Sequence, residues 1–187
     1  MNRAVFLDRD GTLNYDSREY IRNLTEFRLF PKTVAALKKI QALGYKLIII
    51  TNQACVAKGL TTVAAVEEIH QFLKNTLKEK GVKLAAIYYC PHHPDDDCDC
   101  RKPKIGNVLQ ASREHEIDLS SSFFIGDSKR DVETGKTAGC RTILVRTGVR
   151  LNSQEEIRQW SVQPDFVTAN LMAAVEFIEK FEGKSDL

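Results

Sequence analysis

No apolar run in the 187-residue chain approaches the roughly 20 residues of a membrane-spanning helix. The opening Met1-Asn2-Arg3 leads straight into Ala4-Val5-Phe6-Leu7, too short an apolar stretch for the core of a secretory signal. The cytoplasm is therefore the expected compartment, and no membrane partner is expected. Charge of one sign is also scarce: 27 Lys and Arg stand against 25 Asp and Glu, a net charge of +2. That excludes the strongly basic footprint that drives sequence-independent binding to polynucleotides, so no nucleic-acid partner is expected. Internal repeats, low-complexity tracts and Gly- or Ser-rich linkers are absent. With 43% hydrophobic, 28% charged and 8% aromatic residues, the composition is that of an ordinary globular domain. A chain of this length buries roughly 70% of the surface its unfolded form exposes. One domain over residues 1–187, monomeric and independent of any disulfide framework, is the expectation.

Short apolar, β-branched or aromatic runs recur at Ala4 to Leu7, Lys46 to Ile50, Ala85 to Tyr89, Ser122 to Ile125, Thr142 to Val145 and, more weakly, Phe166-Val167. Such runs predict strands. Helical spacing separates them: Val34, Leu37, Ile40 and Leu43; then Val66, Ile69, Leu73 and Leu77; then Val108, Leu109 and Ser112. Pro31 suits a first helical turn, and Gly44 and Gly81 suit helix ends. From Val149 the pattern weakens, and the polar stretch Glu182 to Leu187 is expected to fray. The β-α alternation predicts an α/β fold, a Rossmann-like, mainly parallel sheet with helices on both faces and ligands at the carboxyl ends of the strands. The intervals between motifs are too short for a large cap domain.

The unusual residues sit just after these strands. Asp8-Arg9-Asp10-Gly11-Thr12 follows the first, and a period of two points both carboxylates to one face. Converging acids repel and pay desolvation, so they call for a cation, a shared proton or water. Mg²⁺, which takes one or two carboxylates together with phosphate oxygens, meets that need. Alone, D-x-D-G reads equally well as an Asp- and Gly-rich turn. Thr51-Asn52-Gln53 after the second strand offers a hydroxyl and two amides to phosphate oxygens. Arg101-Lys102 supplies two cations, and Gly126-Asp127-Ser128-Lys129-Arg130-Asp131 follows the fourth strand as a further acidic turn.

Cys90-Pro91-His92 and Cys98-Asp99-Cys100 bracket a loop rich in Pro and Asp, residues 90–104. Three thiolates and an imidazole suggest a tetrahedral Zn²⁺ held by Cys90, His92, Cys98 and Cys100, a closed structural site. His93 is the alternative ligand and a disulfide the alternative chemistry, the latter disfavoured in a reducing compartment. The loop ends on Arg101 and Lys102, so a metal clamp there would fix both cations. Cys55 and Cys140 read as small apolar residues or loop thiols. His70 and His115, in helical segments, read as solvated or core-satisfied.

Taken in order, D-x-D-G-T, the strand-end Thr, the Lys and the G-D-x-x-x-D turn resemble the phosphatases of the haloacid-dehalogenase (HAD) superfamily. With the Cys/His loop, the segments from Phe6 to Gly148 resemble the subfamily of small phosphatases that act on heptose bisphosphate or histidinol phosphate, over about residues 3–150. The resemblance implies a HAD-like fold and a Mg²⁺-dependent phosphomonoesterase. Asp8 would be the nucleophile that forms an aspartyl phosphate, and Asp10 the general acid and base. Mg²⁺ would be held by the Asp8 side chain, the Asp10 carbonyl oxygen and Asp127, with Asp131 orienting metal-bound water or Lys102. Thr51 and Lys102 would stabilise the phosphoryl oxygens. Asn52, Gln53, Arg101, Asp16 and Tyr20 would contact the substrate, a small phosphorylated metabolite of the sugar-bisphosphate kind. Two departures fall in the substrate loops: Ala54-Cys55 stands where the heptose enzymes usually carry Ser-Gly, and Asp16 to Tyr20 replaces a shorter, Gly-containing loop. A histidinol-phosphate phosphatase and a zinc-stabilised binding module without turnover are the competing expectations.

Overall fold

The computed structural model describes residues 1–149 and 153–185. Among these, six strands form one sheet: β1 (Ala4–Leu7), β2 (Lys46–Asn52), β3 (Leu84–Cys90), β4 (Phe123–Gly126), β5 (Arg141–Val145) and β6 (Phe166–Thr168). Their order is β3-β2-β1-β4-β5-β6, and every pairing is parallel. The helices are α1 (Thr33–Ala42), α2 (Val63–Glu79), α3 (Gly106–His115), α4 (Lys129–Thr137), α5 (Gln154–Arg158) and α6 (Leu171–Ser185).

Successive strand residues point to opposite faces, and both faces are covered. Val5, Leu7, Leu47, Ile49, Phe123 and Ile125 pack with Leu37 and Ile40 of α1, Leu73 of α2 and Ile178 of α6. Ala4, Phe6, Ile48, Ile50 and Phe124 pack on the other face with Val108 and Ala111 of α3. This is why the strands read as unbroken apolar runs. The expected fold class is the observed one.

Several boundaries differ for local reasons. β2 runs past Ile50 because Thr51 and Asn52 still pair with Tyr89 and Cys90. Ser122 lies just before β4, its hydroxyl accepting from the Ala4 amide and donating to the Asp118 carbonyl. Pro31 precedes α1 instead of opening it, since Lys32 is the N-cap. Gly44 and Gly81 do close α1 and α2, with φ of +84° and +76°. The expectation of fraying from Glu182 is corrected: α6 continues to Ser185, and Glu182 accepts from Arg3 Nη1 and the Tyr45 hydroxyl, each at 2.6 Å. Residues 186 and 187 lie outside the described residues.

β1 has β2 on one side and β4 on the other, and the crossovers leave it in opposite directions. Chains departing from β1 and β4 therefore diverge and open a crevice beyond their carboxyl ends. Asp8 and Asp127 both sit there, and the Asp8 amide donates to the Ile125 carbonyl at 2.9 Å.

Candidate active site

β1 ends at Leu7, and the turn that follows sends its two carboxylates to different partners. Asp8 Oδ1 lies 2.9 Å from Lys102 Nζ and accepts from the Arg9 amide at 2.7 Å. Lys102, only 3% exposed, also lies 2.6 Å from Oδ1 of Asp131, itself 1% exposed. Burial pushes the Asp8 carboxyl up to about 6 against the pull of Lys102, with the neighbouring charges of Asp131 and Asp10 adding to the rise. Burial pulls the Lys102 ammonium down, but Asp131 and Asp8 outweigh it and raise it.

Asp131 stands in the first turn of α4, where its Oδ2 accepts from the Ser128 amide at 3.0 Å as half of a capping box. The expectation that Asp131 orients either water or Lys102 thus meets a direct contact with Lys102. Asp127 precedes the helix, and its carboxyl is raised well above the usual range by burial and by the charges of Asp131, Asp8 and Asp16. The chain gives this carboxylate room: a β-carbon at Gly11 would come within 2.6 Å of Asp127 Oδ2, and one at Gly148 closer still.

One carboxylate oxygen from each of Asp8, Asp127 and Asp131 falls within 4.8 Å of the others. Three converging acids share one lysine, a crowding that raises the Asp8 and Asp127 carboxyls, and an all-oxygen donor set of this kind suits a hard divalent cation. The residues fit Mg²⁺. The sequence reading placed Asp131 outside this set.

Asp10 is not part of this cluster. Its Oδ1 accepts from Arg9 Nε at 3.0 Å and Asn14 Nδ2 at 2.8 Å, and its Oδ2 from Arg9 Nη2 at 2.8 Å and Gln53 Nε2 at 2.9 Å. Burial alone would raise its carboxyl, but the Arg9 charge and these hydrogen bonds bring it below the usual carboxylate range. β1 ends at Leu7, before either carboxylate, so strand alternation does not extend to them.

The amides after β2 are engaged within the protein. Asn52 pairs with the backbone of Lys102, donating to its carbonyl and accepting from its amide, both at 3.1 Å. Gln53 donates to Thr51 Oγ1 at 2.9 Å as well as to Asp10, and accepts from Arg9 Nη2 at 3.0 Å. Thr51 is buried at the end of β2. Arg101, beside Lys102, has a buried Nη1 with no hydrogen-bond partner among the described residues. Asp16 and Tyr20 line a flap cavity of about 510 Å³ together with Tyr15, Arg22 and Arg28. Tyr20 has a φ of +68°, and its hydroxyl receives Lys58 Nζ at 2.7 Å, tying the flap to the turn after β2.

The Cys/His loop gathers as spaced. Cys90 Sγ lies 3.5 Å from His92 Nδ1 and 3.5 Å from Cys98 Sγ, His92 Nδ1 lies 3.2 Å from Cys100 Sγ, and Cys98 and Cys100 are 3.5 Å apart. A tetrahedron with Zn–S bonds of about 2.3 Å has S···S edges of roughly 3.8 Å, close to this spread. His93 turns away, its Nδ1 3.3 Å from Asp95. All five cysteines are free thiols, so the disulfide alternative has no support in the geometry. The donor set and its edges fit Zn²⁺.

Sequence reasoning missed Arg9, which is wholly buried, and the use made of His70, which is 5% exposed. A charged residue between two acids reads as a surface residue, and nothing in the residue string signals that it turns inward.

A family model described as HAD-hydrolase-like matches residues 99–174. The chain is 40% identical over 149 residues to the D-glycero-β-D-manno-heptose-1,7-bisphosphate 7-phosphatase of Pseudomonas aeruginosa, covering 79% of this chain and 84% of that protein. It is 41% identical over 154 residues to the α-anomer 7-phosphatase of Photorhabdus laumondii, covering 78% and 84%. Among solved structures, D,D-heptose 1,7-bisphosphate phosphatase from B. bronchiseptica, complexed with magnesium and phosphate, superposes with a TM-score of 0.86 at 32% identity, covering 96% of this chain and 99% of that one.

Proposed function

From the premise that the chain belongs to the HAD-like hydrolases and is a phosphatase, we propose that it hydrolyses the 7-phosphate of D-glycero-D-manno-heptose 1,7-bisphosphate. The observation that carries this reading is the joint one: relatives named for that activity match at about 40% identity over most of their length, and the buried Asp8–Lys102–Asp131 chain stands at the mouth of the crevice.

Asp8 attacks phosphorus in line, its carboxylate oxygen forming the new P–O bond while the bond from phosphorus to the sugar oxygen breaks. The departing oxygen takes a proton from Asp10. A water then attacks the aspartyl phosphate and gives its proton back to Asp10, releasing inorganic phosphate and restoring Asp8. Lys102 and Thr51 stabilise the charge on the transferring oxygens. The Arg9 fork keeps Asp10 a carboxylate at rest, the form the second half requires; for the first half, phosphate charge bound beside it favours protonation, and the proton takes the place of one of the four donors from which Asp10 accepts at rest. Asp8, Asp127 and the Asp10 carbonyl oxygen would hold Mg²⁺, with Asp131 close by, and the ion would neutralise phosphate charge. Cys90, His92, Cys98 and Cys100 would hold Zn²⁺ as a structural clamp, fixing Arg101 and Lys102 over the crevice. Arg101, Asp16 and Tyr20 are assigned to the substrate. Asn52 and Gln53, whose amides are engaged internally, fit positioning of Lys102 and Asp10.

The test is kcat/KM with Mg²⁺ for both anomers of the heptose bisphosphate, since relatives of either anomeric name match equally well, beside histidinol phosphate and a panel of sugar phosphates. A preference of several powers of ten for the heptose bisphosphate is expected. A comparable or larger value for histidinol phosphate would overturn the substrate while leaving the phosphatase.

A further inference from the structure

An arginine removed from water is costly unless each of its donors finds an acceptor. Arg9 is 0% exposed. Its Nε and Nη2 form a two-pronged contact with Asp10 at 3.0 and 2.8 Å, Nη2 reaches Gln53 Oε1 at 3.0 Å, and Nη1 lies 3.1 Å from His70 Nε2. Its guanidinium carbon stands 5.8 Å from the Phe27 ring centroid. Arginine has no acceptor, so His70 Nε2 must accept here and the imidazole carries its proton on Nδ1. His70 is fixed in turn by α2, on the face that sends Val66, Ile69 and Leu73 into the core, and its ring meets Tyr89 of β3 edge-on at 5.2 Å.

We infer that Arg9, buttressed by His70, is the positioning residue that aims the Asp10 carboxyl for proton transfer to the leaving group. The inference rests on Asp10 being the general acid. A two-pronged contact fixes both the position and the plane of a carboxylate, which a single hydrogen bond does not. Gln53 closes the arrangement from the other side, touching Asp10, Arg9 and Thr51 at once. His70 limits Arg9 in the one direction that neither Asp10 nor Gln53 controls. A core needing only to be filled would take an apolar side chain at lower cost, whereas this one spends a buried ion pair and a neutral imidazole on the orientation of one carboxylate.

The test separates positioning from structural support through the leaving group. A sugar alkoxide needs a proton as it departs and p-nitrophenolate does not, so kcat/KM for the two esters, which ends at leaving-group departure, isolates the acid step. Asp10→Asn is the reference and is expected to lose activity on the sugar phosphate far more than on p-nitrophenyl phosphate. His70→Leu, which cannot accept from Arg9, and Arg9→Lys, which keeps the buried charge without the fork, are expected to show the same selective loss. On the sugar ester it should be at least about tenfold, as for a misplaced catalytic group. His70→Gln, whose amide oxygen can accept, is expected to restore the sugar ester to within about threefold of the parent on the same scale. Equal losses on both esters in His70→Leu and Arg9→Lys, or a gain on the sugar ester, would overturn the inference while Asp10→Asn still showed its signature. An Asp10→Asn variant without that signature would instead remove the acid assignment itself, and the inference with it.

Discussion

His70 makes the fold sensitive to acid in a way that one substitution should erase. The imidazole ordinarily titrates at 6.5, but burial and the facing Arg9 charge pull it down to about 3 in the folded protein. Protonating it would place a second cation 3.1 Å from Arg9 Nη1. The unfolded chain has no such obstacle and takes up the proton as pH falls through 6.5. Between the two values the unfolded state therefore binds more protons than the folded state, so stability rises with pH there and is lost on acidification. Above 6.5 the histidine has almost no effect. At pH 5.0, one and a half units below the unfolded value, uptake by the unfolded chain is worth about 2 kcal/mol at 1.36 kcal/mol per unit. The figure depends on the folded value only in that it lies well below 5. His70→Gln keeps an acceptor for Arg9 and cannot titrate. Urea unfolding of parent and variant at pH 7.5 and 5.0 gives two stability differences, and the parent's advantage should fall by about 2 kcal/mol between them. Every other titrating group, the Cys/His loop included, is common to both proteins and cancels. A difference that moves by less than about 0.5 kcal/mol would mean that His70 protonates freely in the folded state, against the reasoning from burial and charge.

Asp8→Asn should abolish phosphate release without lowering the metal-free thermal midpoint, because the carboxylate it removes is held in its ionised form at a cost, its carboxyl being raised to about 6. Retained turnover would remove the nucleophile assignment, and a collapsed midpoint would contradict the electrostatics. Cys98→Ser should lose bound zinc by elemental analysis and lose activity with it through displacement of Lys102, and full activity in zinc-free protein would make the clamp irrelevant. Asn52→Ala removes both hydrogen bonds to the Lys102 backbone, at about 0.5–1.5 kcal/mol each. It should lower kcat and leave the zinc content unchanged; an unaltered kcat would show that the zinc loop and the two carboxylates suffice to place Lys102.

What the sequence discloses follows from how local each signal is. Strands buried on both faces announce themselves as apolar runs, and all six were placed to within two residues. The Cys/His loop is compact enough in sequence that spacing alone gathered its four donors. Asp8, Lys102 and Asp127 were legible because the parallel architecture sends every strand end to the same edge. α4, α5 and α6 went unread: α4 is polar apart from Val132, and its start is marked by a capping box whose Asp131 had already been read as chemistry. Arg9 and His70 are 61 positions apart, and their contact exists only once α2 is laid against the sheet. No periodicity within either segment encodes it.

The two halves of the proposed chemistry rest on largely separate supports that meet at the ends of β1 and β2, where Gln53 bonds to Thr51 and its backbone amide to the Cys90 carbonyl. Lys102 is fixed from three directions: by Asp8 and Asp131 at its ammonium, by Asn52 at its backbone, and by the Cys/His loop that ends two residues before it. Asp10 is fixed by Arg9, Gln53 and Asn14, and through Arg9 by a helix on one face of the sheet. Thr51 belongs to both, lying beside Lys102 in the assigned chemistry and bonded to Gln53 in the structure. Phosphoryl binding and proton transfer should therefore fail independently. Variants in the zinc loop should depress aryl and alkyl esters alike, since both need their phosphoryl charge neutralised. Variants in the Arg9–His70 arm should spare the aryl ester. Combining one variant from each group should give nearly additive losses in activation free energy on the sugar ester, because contacts shared between the arms are few. Strong coupling between them would show Gln53 and Thr51 joining the arms into one unit.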